Sequence, residues 1–171
     1  MVALLTPRLI LNPLTSQDAF DLFAVRSNPQ VMAFWDWPAD ASPAVTAAIV
    51  EQMLQDVASG DAYYWTVRLR SDASFVGLCD LSDVQAHASV DIGFMLARRF
   101  WGVGPAQEAI ACVLDQARAL GLKSVRARVH SANERSARLL KRAGFTAVET
   151  IQDFEIRPGV HRACTRFERV L

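Results

Sequence analysis

The chain has 171 residues, 51% hydrophobic and 21% charged, with 18 Lys and Arg balancing 18 Asp and Glu. That length fits a single domain over residues 1–171 with a real core, and the neutral balance gives no bulk reason to expect a nucleic acid or an anionic membrane as partner. Cys79, Cys112 and Cys164 are scattered and match neither a disulfide framework nor zinc-ligand spacing, no apolar run is long enough for a bilayer, and residues 1–10 lack the pattern of a signal peptide, so the expectation is a soluble, cytoplasmic protein without a metal.

In chain order, residues 8–11 read as a first strand ended by Asn12-Pro13. Thr15 and Asp18 have capping-box spacing, which predicts a helix carrying Phe20, Leu22, Phe23 and Val25 and stopping near Asn28-Pro29. An apolar stretch broken by proline, residues 31–38, comes next. Ser42-Pro43 opens a second helix that ends before Gly60. Residues 63–69 and 75–81 are aromatic and β-branched on either side of a polar turn and predict a hairpin, which residues 89–96 extend. The rhythm then changes. Residues 105–120 are apolar at helical spacing and stop at Gly121, residues 125–129 alternate as a strand, and residues 133–143 form a helix capped by Asn133 and closed by Gly144. Residues 145–151 and 163–170 read as final strands. This order suggests an α/β sheet with crossover helices, partly parallel.

The most informative segment is Arg98-Arg99-Phe100-Trp101-Gly102-Val103-Gly104-Pro105-Ala106, between a strand and a helix. Its glycines permit tight backbone turns, and the helix start beyond them offers free N–H groups and a positive dipole end. Physics alone reads it as a phosphate-binding loop; a plain glycine turn with two exposed arginines is the alternative. It matches neither the GxxxxGK[ST] nor the GxGxxG pattern.

Residues 99–104 also resemble the RxxGxG/A pyrophosphate loop of the GNAT acetyltransferases. The longer string from Asp91-Ile92-Gly93-Phe94-Met95-Leu96 to Ala109 is similar to the branch containing the ribosomal-protein N-terminal acetyltransferases of RimJ/RimL type. So are Asn133-Glu134-Arg135-Ser136…Leu139…Gly144-Phe145, the opening Thr6-Pro7-Arg8-Leu9, and Asn28-Pro29-Gln30-Val31-Met32. The resemblance runs nearly the whole length in the family's order. It implies a GNAT fold, with a mixed, mostly antiparallel central sheet and helices on both faces. It also implies an acetyl-CoA-dependent N-acetyltransferase acting by direct transfer in a ternary complex, with a homodimer as the family-based expectation.

The same resemblance supplies site roles. The strand residues Phe94, Met95 and Leu96 would pair with the pantetheine arm. Arg99 and the loop Trp101, Gly102, Val103, Gly104, Pro105 and Ala106 would hold the pyrophosphate. Asn133 would contact the pantetheine arm, or act simply as an N-cap. Ser136 would lie near the thioester sulfur. The tyrosine that many members use as an acid is replaced by Leu140, which leaves Ser136 as substitute.

An ammonium has no lone pair, so the acceptor must lose a proton to a base, directly or through a water chain. Asp91 matches the acidic position before the family's Ile-Gly-Tyr strand and is the first candidate; pairing with an arginine is its competing role. Asp80 and Asp83 are the alternatives, and Asp80 counts with Trp35 and Trp37 as acceptor-binding. A backbone N–H near Met95 is the expected donor to the thioester oxygen. His87, His130 and His161 form no triad, and Arg126 and Arg128 read as a solvated face. The first acceptor expected is a protein or peptide α-amino group. The rivals are a small amine and a silent acyl-CoA-binding module.

Overall fold

The computed structural model describes residues 1–85 and 89–171; His87 lies outside the described residues. Eight strands form one sheet in the order β1-β2-β3-β4-β5-β6-β8-β7. They are β1 (Leu4–Leu5), β2 (Leu9–Pro13), β3 (Tyr63–Leu69), β4 (Phe75–Gln85), β5 (Ser89–Leu96), β6 (Ser124–His130), β7 (Thr146–Arg157) and β8 (Val160–Val170). All neighbours are antiparallel except β5 and β6, which are joined by a helical crossover. The helices are α1 (Ala19–Arg26), α2 (Pro29–Met32), α3 (Pro43–Ser59), α4 (Pro105–Ala119) and α5 (Glu134–Arg142).

Alternation along the strands makes two cores. Trp65, Val67, Cys79, Leu81, Val90 and Ile92 pack with Ile110, Val113 and Leu114 of α4 and Leu140 of α5. Leu78 and Met95, on the opposite face, pack with Leu22 and Val25 of α1, Val31 of α2 and Val50 of α3. The two apolar surfaces of the central strands are what put helices on both faces.

Three departures from the sequence reading concern the site. A short helix α2 follows Pro29, with Asn28 as its cap accepting from the Gln30 amide at 2.9 Å. Strand β7 continues to Arg157 through its pairing with β8. Residues 33–42 form a strap that joins α2 to α3. At its far end, Asp40 makes a buried two-point ion pair with Arg26 of α1, at 2.7 and 3.0 Å, and accepts the Thr46 hydroxyl at 2.6 Å. Each carboxylate oxygen thus has a donor where burial makes an unmatched charge costly.

Candidate active site

The pairing of β5 with β6 covers only Ser89↔Ser124, Val90↔Val125 and Asp91↔Arg126. Beyond Asp91 the strands part and leave a slot. In the β4–β5 ladder Ala97 N–H donates to Val76 C=O at 2.8 Å. Because hydrogen-bonded and non-hydrogen-bonded pairs alternate, Met95 directs its amide towards β4, whereas Phe94 and Leu96 turn theirs to the slot. The carbonyl of Leu96 accepts the indole N–H of Trp101 there, at 2.9 Å.

Two cavities meet at this slot. One, of about 900 Å³, is lined by Phe94, Met95 and Leu96, by Trp101, Gly102, Gly104, Ala106 and Gln107, and by residues of α5. Gly102 and Gly104 have φ of +80° and +100°, in the left-handed region, and Pro105 starts α4 immediately after. The first amides of α4 have no partner within the helix, an arrangement that favours an anion at a helix start. The buried Oε1 of Gln107 lacks a hydrogen-bond partner among the described residues, and a polar ligand in this cavity would satisfy it.

The loop is braced from outside by contacts the sequence reading missed. Arg8 donates to both Glu108 oxygens at 2.8 and 2.7 Å, and Thr6 to one of them at 2.5 Å. Burial works to raise the Glu108 pKa, but these bonds outweigh it and hold the carboxyl below its ordinary value. Nothing local flags a contact across about a hundred residues of sequence. The guanidinium groups of Arg98 and Arg135 both lie over the Trp101 ring, 4.7 and 4.1 Å from its centre, and the second contact ties the loop to α5.

The other cavity, of about 700 Å³, lies on the strap side. Phe34, Trp35, Phe94, Asn133 and Ser136 line both cavities and mark their junction. Asn133 caps α5, accepting from the Ser136 amide at 3.2 Å while its own amide group stays available to donate. Asp80 and Asp91 both open into this cavity. Asp80 stands opposite Gly93, where a Cβ would lie 2.2 Å from its Oδ2; glycine makes the space for the carboxyl. Burial pushes the Asp80 pKa up to about 7, with Asp91 adding to the rise and the Ser82 hydroxyl and Gly93 N–H opposing it. Asp91 is bonded by Arg126 at 2.8 Å; burial raises its pKa and the guanidinium pulls it back.

The other expected residues fall elsewhere. Arg99 donates to Phe75 C=O at 3.1 Å and stacks on Phe100, and it lines neither cavity. Val103 is exposed, Pro105 is buried, and Trp37 is 58% exposed outside both cavities. Leu140 is fully buried in the core. Arg126 and Arg128, read as a solvated face, line the strap-side cavity with His130. His161 pairs with Asp153 at 3.0 Å.

The sequence profile of the acetyltransferase (GNAT) domain matches residues 8–146. The chain belongs to the GNAT acetyltransferase family. It is 29% identical over 163 residues to the uncharacterised N-acetyltransferase YoaA of Bacillus subtilis, covering 90% of this chain and 88% of that one. The GNAT fold seen here is also that of two solved structures. One is the spermidine N-acetyltransferase of Vibrio cholerae in complex with CoA and spermine, with TM-score 0.84, 18% identity and 96% of each chain covered. The other is the ribosomal-protein-S5-alanine acetyltransferase of Vibrio fischeri, with TM-score 0.84, 18% identity and 99% and 97% covered. As a GNAT member the chain is an acetyl-CoA-dependent N-acetyltransferase.

Proposed function

We propose that this GNAT enzyme transfers an acetyl group directly to a primary amine, with Asp80 as the base. The observation that carries the reading is the junction of the two cavities. A carboxyl with a pKa near neutrality and no ion pair among the described residues faces the acceptor side, while the anion-binding loop lies on the other. Bound acetyl-CoA supplies an activated acyl group. The loop amides and α4 N-terminus would hold its pyrophosphate, and the slot-facing backbone of Phe94 and Leu96 would hold its pantetheine arm.

Asp80 accepts a proton from the acceptor ammonium; near pH 7 it exists in both forms, which suits a base that must also release the proton. Asp91 is committed to Arg126 and serves to set the charge around Asp80. The Phe94 N–H is the donor offered to negative charge developing on the acyl oxygen. The Ser136 hydroxyl, at the junction, is placed to assist departure of the thiolate.

The finer reading takes a peptide α-amino group as acceptor. The motif resemblance to the ribosomal-protein branch supports it. A small amine is the second reading, favoured by the strap, which lies over the strap-side cavity and touches its far wall through Phe34 on His130, with ring centroids 5.4 Å apart. Calorimetry with acetyl-CoA, followed by thiol release over a panel of peptides and small amines, tests both. Binding without release to any amine would reduce the protein to an acyl-CoA-binding module.

A further inference from the structure

The strap-side cavity carries charges that proton removal does not require. Three guanidinium groups line it, and each is already matched by a carboxylate of the chain. Arg126 holds Asp83 and Asp91 at 2.7 and 2.8 Å, Arg166 holds Glu149 at 3.0 Å, and Arg128 holds Asp36 at 2.5 Å. Two further carboxyl groups of the lining, Asp80 and Glu168, have no ion pair among the described residues. The excess charge is therefore negative, which complements an ammonium.

One of these pairs differs in kind. Asp83, Asp91 and Glu149 lie on strands of the sheet, but Asp36 comes from the strap. Arg128 stands directly opposite Arg166 across the β6–β8 ladder and rests 4.3 Å over the Phe154 ring. Two guanidinium groups side by side on a floor with an aromatic edge would make a site for a carboxylate. Asp36 already takes the Arg128 half of it, while Arg166 holds Glu149, and Arg157 fixes the position further by donating to the Asp36 carbonyl.

We propose that Asp36 is a specificity-determining residue: its carboxylate fills the anion site of Arg128 beside Arg166, so the enzyme accepts amines with no anionic group next to the reacting nitrogen and rejects free amino acids. An acceptor carboxylate would have to displace Asp36 or lie unmatched among Asp36, Asp80 and Asp91, and such like-charge contact works against the wrong substrate. This inference rests on the acetyltransferase reading and holds for peptide and small-amine acceptors alike.

The test compares thiol release from acetyl-CoA for amines supplied as free acid and as amide: alanine and alaninamide, phenylalanine and phenylalaninamide, lysine and lysinamide. The wild-type enzyme should favour the amide in each pair it turns over. Asp36→Asn should move the kcat/KM ratio towards the free acid by about tenfold or more, with acetyl-CoA affinity unchanged by calorimetry. Arg128→Gln in the Asp36→Asn background should return the ratio to the wild-type value, which mere loosening of the strap would not do. Asp36→Ser gives the same comparison if Asn disturbs the strap. A ratio unmoved by either substitution, or a wild-type preference for free acids, overturns the proposal. No release with any amine, from an enzyme that binds acetyl-CoA, overturns the acetyltransferase reading and this inference with it.

Discussion

Replacing Asp80 by Asn should make the enzyme slower and more stable. Its carboxyl pKa is pushed up to about 7, against about 4 for a solvated aspartate. The folded protein therefore binds that proton more tightly than the unfolded chain. The stability this group contributes is full below about pH 4 and is lost as pH rises through about 7. At pH well above 7 the ionised carboxylate costs the fold at most about 4 kcal/mol, a ceiling that water in the open cavity reduces to roughly 1–2 kcal/mol. Asn does not titrate, and its amide oxygen can still accept from Ser82 or Gly93. For a chain of this length that gain corresponds to roughly 2–8 °C in Tm at about pH 8, shrinking to nothing towards about pH 4. Thermal unfolding of both proteins across this range measures it, with single-turnover thiol release alongside. The rate should fall about 10²- to 10⁴-fold at neutral pH, and the rise of wild-type kcat/KM with pH through about 7 should disappear. Asp91→Asn should lose less, since Arg126 retains Asp83. A Tm difference that does not vary with pH, or a variant that keeps both rate and pH profile, would refute the assignment.

Other substitutions probe the remaining parts. Gly104→Asp should abolish acetyl-CoA binding measured by calorimetry, because it places a carboxylate at the anion site and a side chain at φ +100°, with its Cβ 2.9 Å from Arg8 Nη2. Ser136→Ala should slow single-turnover transfer about ten- to a thousandfold with little change in acetyl-CoA affinity; a full rate would remove Ser136 from the chemistry. Arg26→Ala should lower stability by about 3–5 kcal/mol in denaturant titrations by leaving Asp40 buried without its cation, and a loss below about 1 kcal/mol would show that water reaches the pair.

Most of this architecture was legible in the sequence. The periodic segment became α4, the segments marked by their start and stop residues became α3 and α5, and the loop glycines sit where their backbone freedom is needed. Helix α2 was hidden because four residues beginning at a proline carry no period to read. The second half of β7 was hidden because none of its residues is buried, which leaves no in-and-out alternation to read, and their order comes from pairing with β8. The difference between Asp80 and Asp91 was equally invisible. Both are strand aspartates flanked on each side by an apolar residue; only the register that sets Asp80 opposite Gly93 and Asp91 beside Arg126 separates them. Arg99 shows the converse, since the loop motif names it but does not say which way its side chain turns.

The short junction between β5 and β6 makes the sheet a seamed object. Three residue pairs stitch a five-strand panel to a three-strand panel, and past Asp91 and Arg126 two open backbone edges face each other. An extended amide-bearing ligand laid along that gap does what a ninth strand would do, and becomes a splint between the panels. Its binding should therefore slow amide exchange along the Phe94–Leu96 edge it touches and also in β8, beyond its contacts.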